Sequence, residues 1–197
     1  MKKSLFVLTL TLVAMFFAGC SKLPQTEIDA ATAALEQAKA AQADLYLEND
    51  FLALQDSLNA AVVALEAKKS KVFGSFSDEK AKLTDISAKA AELVQNVDKR
   101  KEDIKNEIAS AQASITTLLE ENASLLESAP KGKEGKEALE AIKLELDGIT
   151  SSVAEVPSLL TSGDLLGAQT KIKAAMEKAT EINTELKTVL EKYLSKK

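Results

Sequence analysis

The 197 residues carry 25 Lys and Arg against 30 Asp and Glu, a formal net charge of −5, with one cysteine, no histidine and no tryptophan. That balance argues against a nucleic-acid partner. A single cysteine excludes an internal disulfide, and without histidine a transition-metal site is close to excluded. Hydrophobic residues are 46% of the chain and aromatics only 4%; alanine supplies much of the apolar content, which suits helices packed at close range. The 28% of charged residues speaks against a disordered tail or a polytopic membrane protein.

The chain opens with a short basic segment, Met1-Lys2-Lys3, followed by an apolar run from Leu5 to Phe17 broken only by threonines. About 13 residues is short for a bilayer span, which takes roughly 20. Phe17-Ala18-Gly19-Cys20 follows. This segment resembles the lipobox of bacterial lipoproteins, usually Leu-Ala-Gly-Cys, with Phe17 in place of the commonest leucine. The resemblance implies a signal peptide over residues 1–19, with Phe17, Ala18 and Gly19 read by the signal peptidase. It also implies a covalent lipid on the thiol of Cys20; no other cofactor is expected. Ser21, rather than Asp, implies sorting to the outer membrane, facing the periplasm. Two or three acyl chains make a stable anchor, at roughly 0.8 kcal/mol per buried methylene. Loss of Lys2 and Lys3 brings the mature net charge to about −7. Residues 20–25 are then a lipidated cysteine and a tether of at most about 17 Å.

Glycine and proline divide the remainder, and every stretch between them shows helical periodicity. The first stripe is Ile28, Ala31, Leu35, Ala38 and Leu45. The second, out of phase with it, is Phe51, Leu54, Leu58, Ala61, Leu65 and Val72. The phase break at residues 46–50, with Asn49 or Asp50 as a cap, predicts two helices joined by a tight turn; a single bent helix is the rival.

From Ser77, with Ser77 or Asp78 as its cap, an apolar residue recurs every seven positions: Leu83, Ala90, Val97, Ile104, Ala111, Leu118 and Leu125. The continuity predicts one helix over 77–127, about 75 Å long. Its companion stripe lies three after the anchor in the first half (Ile86, Leu93) and four after it in the second (Ile108, Ile115). The switch coincides with six charged residues at 98–103, so the buried face is expected to turn there while the helix continues. After a loop at Pro130–Gly135, Leu139, Ile142, Leu146, Ile149, Val153, Val156 and Leu160 predict a fourth helix, kinked or ended by Pro157. Ser162-Gly163-Asp164 is a turn and cap. Leu165, Ala168, Ile172, Ala175, Ala179, Ile182, Leu186, Val189 and Tyr193 predict the last helix, with coiled-coil-like spacing.

The expected fold is all-α: an elongated antiparallel bundle, two three-helix bundles in series over 26–99 and 100–197, sharing the helix 77–127. The arrangement resembles spectrin-type repeats in architecture alone. The alanine-rich segment Glu27–Tyr46 also resembles helical lipoproteins of unassigned function.

Adjacent carboxylates such as Asp78-Glu79 and Glu120-Glu121 point about 100° apart on a helix and read as solvated surface. Asn122-Ala123-Ser124 fits a glycosylation tripeptide but falls inside a predicted helix. Gly132-Lys133-Glu134-Gly135-Lys136 lacks the spacing of a phosphate loop and reads as a connector. No nucleophile has a histidine base, so no catalytic residue, metal ligand or enzyme activity is expected. Phe73 and Phe76 flank the turn before the long helix. They either close the bundle end, as a hydrophobic staple does, or contact the membrane, since the serial topology puts this turn at the bilayer end. The same topology puts the C-terminus beside the Pro130–Gly135 loop. Lys131, Lys133, Lys136, Lys192, Lys196 and Lys197 then form a distal basic pole, read either as dipole complementation or as a contact to peptidoglycan or an envelope protein. Lys192, Tyr193 and Lys197 resemble the C-terminus of the Braun-type lipoprotein, whose terminal lysine is joined to peptidoglycan.

The expected function is that of a membrane-anchored periplasmic lipoprotein acting as a structural or protein-interaction element of the cell envelope. Its partners would be the bilayer, through the acyl anchor, and an envelope protein or peptidoglycan; the oligomeric state is not fixed by the sequence. The alternative is a helical module or carrier for an apolar ligand. A pocket wider than a few hundred cubic ångströms inside either bundle would reverse that order.

Overall fold

A computed structural model describes residues 23–69, 75–130 and 135–195. The fold is all-α, a bundle of helices packed on one another, and the described residues contain no strand. In chain order the helices are α1 (Gln25–Ala40), α2 (Ala43–Tyr46), α3 (Glu48–Lys69), α4 (Ser77–Ser128), α5 (Gly135–Ala154), α6 (Val156–Ser162) and α7 (Leu165–Leu194). The chain divides into two compact units, Met1–Arg100 and Lys101–Lys197. Helix α4, 52 residues long, belongs to both and stays helical through the charged run at 98–103.

The first unit holds α1, α2, α3 and the first half of α4. Its core joins Ala31, Leu35 and Ala38 of α1 to Phe51, Ala61 and Leu65 of α3 and to Leu83, Ile86, Ala90, Leu93 and Val97 of α4. On α4 the buried positions alternate three and four apart, as knobs-into-holes packing requires. The α1–α3 connection differs from the expected tight turn at 46–50. The chain leaves α1 at Ala41, Gln42 adopts a left-handed conformation (φ 73°), and one turn of helix intervenes before a second break at Leu47. Asn49 and Asp50 therefore lie within the first turn of α3 rather than before it, where the Asp50 carboxylate still complements the helix dipole. The left-handed residue rotates the following turn, so Ala43 is buried and Leu45, expected in the core, is 57% exposed. Helix α4 starts at Ser77, as expected, but the hydroxyl at its entry is that of Ser75, which accepts from the Ser77 backbone N–H.

The second unit holds the rest of α4 with α5, α6 and α7. Beyond the charged run the fully buried line on α4 becomes Ile104, Ile108, Ile115 and Asn122, ending at Ala129. The four-residue companion stripe has become the centre of the face. Ala111, Leu118 and Leu125, expected as anchors, are only half-buried flanks. Helix α5 ends at Ala154, Glu155 precedes α6 as its N-cap residue, and Pro157 sits in the first turn of α6, where a missing N–H costs nothing. Gly163 closes α6 with φ 84°, and the Asp164 carboxylate accepts from the Gly167 N–H to cap α7. Helix α7 buries Leu165, Ala168, Ile172, Ala175, Ala179, Ile182 and Leu186. Its last stripe positions, Val189 and Tyr193, are exposed.

Candidate functional site

In the second unit α4 makes two kinds of seam. Between α4 and α7 the seam is closed and polar pairs cross it. Asn122, 0% exposed, donates from Nδ2 to the Ala179 carbonyl at 2.8 Å and accepts at Oδ1 from Asn183 Nδ2 at 2.8 Å. Asn183 also hydrogen-bonds Glu121, which Lys187 grips at 2.8 Å. Gln169 donates to Glu107, and Lys173 lies 3.6 Å from the same carboxylate. Among the described residues no buried side-chain polar atom lacks a partner. The glycosylation-like tripeptide is thus a core element. Partners separated by 61 and 62 residues, Asn122–Asn183 and Glu107–Gln169, set α7 parallel to α4 and in a register that brings Lys192 level with Pro130.

Between α4 and α5 the seam is open. A groove of about 660 Å³ has Leu119, Ala123 and Leu126 of α4 and Leu139 and Leu146 of α5 as its floor. It runs on past Ala123 into a further stretch lined by Thr116, Glu120 and Val153. Its volume passes the few hundred cubic ångströms set for the carrier alternative. Its position is on the flank of the bundle rather than inside it, since exposed Glu127, Lys136, Glu140, Lys143 and Asp147 line it too. The sequence reading missed this groove. The available signal was the doubled leucines at 118–119 and 125–126, which widen the apolar face of α4 beyond one stripe.

Phe17, Ala18, Gly19, Cys20, Phe73, Lys131, Lys133, Lys196 and Lys197 lie outside the described residues. Phe76 is half-buried and packs on the first unit's core. Lys136 and Lys192 are exposed, Lys192 in the last turn of α7, where a cation complements the dipole. Among the described residues, no helix is long and apolar enough to cross a membrane, and no group of three metal-ligating side chains forms.

The carboxylates depart from the solvated-surface reading in one place. Glu79 is almost fully buried, and Lys68 Nζ sits 2.7 and 2.8 Å from its two oxygens. Lys68 ends α3 and Glu79 begins α4, so each charge also complements its own helix dipole. The hydrogen bond from Lys68 holds Glu79 below the ordinary 4.5 against the opposing effect of burial. Lys80 does the same to Glu27, and Lys187 to Glu121. A depressed folded-state carboxylate stabilises the fold fully above its unfolded value and loses that contribution as pH falls through the folded value. The melting temperature is therefore expected to hold above pH 4.5 and fall progressively below it. Glu79→Gln should lower the plateau and flatten the acid limb; an acid limb identical to wild type would show that this pair contributes nothing.

No protein-family model, no curated protein and no solved structure matches this chain.

Proposed function

We propose that this protein is a lipid-anchored helical lipoprotein of the cell envelope, held at the periplasmic face of the outer membrane, and that it works as an interaction element rather than an enzyme. The observation that carries the interaction reading is the open apolar groove between α4 and α5. An apolar floor with a charged rim is the composition of a surface made to be covered. The lipobox-like segment Phe17–Cys20 supports the anchoring. The carrier reading draws on the same groove, through its volume. Its open side and charged rim favour a macromolecular partner over an enclosed small ligand.

Cys20→Ala is expected to leave the precursor uncleaved by the lipoprotein peptidase and unacylated. A variant that still matures and fractionates with lipid like wild type would remove the anchoring from this reading. For the interaction role, crosslinking the lipidated protein in its own envelope before affinity capture should recover a partner set that the Cys20→Ala form loses.

A further inference from the structure

The two seams that α4 makes in the second unit, with α7 and with α5, treat charge differently. Across α4–α7 the surface carboxylates are matched: Glu107 with Lys173 and Gln169, Glu121 with Lys187. Along the α4–α5 groove they are not. Glu120 and Glu127 on the α4 rim, and Lys136, Glu140, Lys143 and Asp147 on the α5 rim, form no ion pair with another described residue. The two rims also differ from each other. The α4 rim is acidic only, with its carboxylates seven residues apart, while the α5 rim alternates basic and acidic.

The floor has the spacing of a helix-binding surface. Leu119 and Leu126 recur at seven on α4, and Leu139 and Leu146 at seven on α5. Ala123 lies between the α4 leucines and leaves a hollow where an incoming side chain can enter as a knob. From Thr116 to Glu127 the groove follows α4 for about 17 Å, three turns of helix.

We infer that this groove receives an amphipathic α-helix from a partner protein, about three turns long, with its apolar stripe on the Leu119–Ala123–Leu126 floor and a flank of lysine or arginine along the acidic α4 rim. The helix would add one more helix to the second unit along α4 and α5, as helix-in-groove recognition does, and the unpaired carboxylates would select its sign of charge. This rests on the interaction reading above and adds the partner's chemistry to it.

The test uses the mature chain, residues 20–197 with Cys20→Ser, which retains every described residue. The probe is a labelled helical peptide of about 15 residues with leucine at i, i+3 and i+7 and lysine on one flank, alongside the same peptide with glutamate for lysine. Anisotropy should show saturable one-to-one binding of the lysine peptide, weakened by salt, and at least about tenfold weaker binding of the glutamate peptide. Ala123→Arg, at an exposed position that should leave the melting temperature unchanged, is expected to abolish binding. Glu120→Lys with Glu127→Lys should reverse the preference between the peptides. Equal binding of both peptides, or binding indifferent to Ala123→Arg, would overturn the proposal. So would a wild-type dimer dispersed by Ala123→Arg, which makes a second copy the occupant. Stoichiometric uptake of cis-parinaric acid, lost in Ala123→Arg and unaccompanied by peptide binding, would overturn it in favour of an acyl chain. Photocrosslinkers at residues 123 and 184, used in cells, separate this failure from that of the parent reading. Protein adducts from 184 alone remove the groove and leave the interaction role, whereas adducts from neither position remove both.

Discussion

Asp98→Pro is expected to destabilise the protein by about 3 kcal/mol or more, although Asp98 is an exposed residue that touches no core. Position 98 lies mid-way along α4, next to the fully buried Val97. Proline there removes one hydrogen bond of the helix ladder and drives its ring into the carbonyl of Val94, so α4 must kink or break. The cost is large because the distorted turn lies beside the buried Val97, in the first unit's core, with the buried Ile104 two turns on. Asp98→Ala is the control and should fall within about 0.5 kcal/mol of wild type, as exposed substitutions do. Urea unfolding of the two variants, followed by far-ultraviolet circular dichroism, reads the difference. A proline variant as stable as the alanine one would mean that helix continuity through 98–103 contributes nothing to the fold.

The continuity of α4 was legible because an apolar residue recurs every seven positions without a gap, and a hydrophobic period reports which face is buried over any length of helix. The change of buried face at 98–103 was legible for the same reason: the companion positions move from three to four after the anchor, and the buried line moves with them, from Leu83, Leu93 and Val97 to Ile108 and Ile115. Two features escaped that logic. The α1–α3 corner depends on Gln42 accepting a left-handed conformation, a backbone state that ordinary side chains disfavour and that no periodicity announces. The pairing of Lys68 with Glu79 joins residues on two successive helices, and a sequence shows neither partner facing the other. The groove lies between these extremes. Each of its leucines was visible, but one stripe per helix satisfied the bundle, and surplus apolar residues at Leu119 and Leu126 become informative only once α5 is seen to leave them open. Asn122 is the clearest case of a readable position with an unread meaning. It continues the heptad Ile108–Ile115, yet an asparagine inside a helix looks like surface until its partners are known.

Asn122→Ala is expected to cost about 2–3 kcal/mol, from two lost buried hydrogen bonds and the void left behind. Asn122→Leu fills the void but strips the Asn183 amide of its acceptor at Asn122 Oδ1, and should still cost about 1–2 kcal/mol. The double variant Asn122→Leu with Asn183→Leu removes both halves of the pair. It should recover most of that loss, since well-packed apolar residues often replace a buried polar pair without penalty. What it should not recover is register. The buried face of α7 repeats alanine and aliphatic residues, with Ala168 and Ala175 seven apart and Ala179 and Leu186 seven apart, so hydrophobic packing alone distinguishes poorly between neighbouring alignments. A slip of one heptad would set Asn122 against Met176 or Leu190, neither of which can satisfy a buried amide. The asparagine pair therefore acts on alignment in the way a single buried polar residue fixes register in a coiled coil. In the double variant, amide hydrogen exchange along α7 should accelerate and the methyl resonances of Ile172 and Ile182 should broaden or split, while the urea midpoint stays near that of wild type. A double variant with single sharp methyl resonances and wild-type exchange would show that alignment is fixed elsewhere, with the Glu107–Gln169 and Glu121–Lys187 contacts as the next places to look.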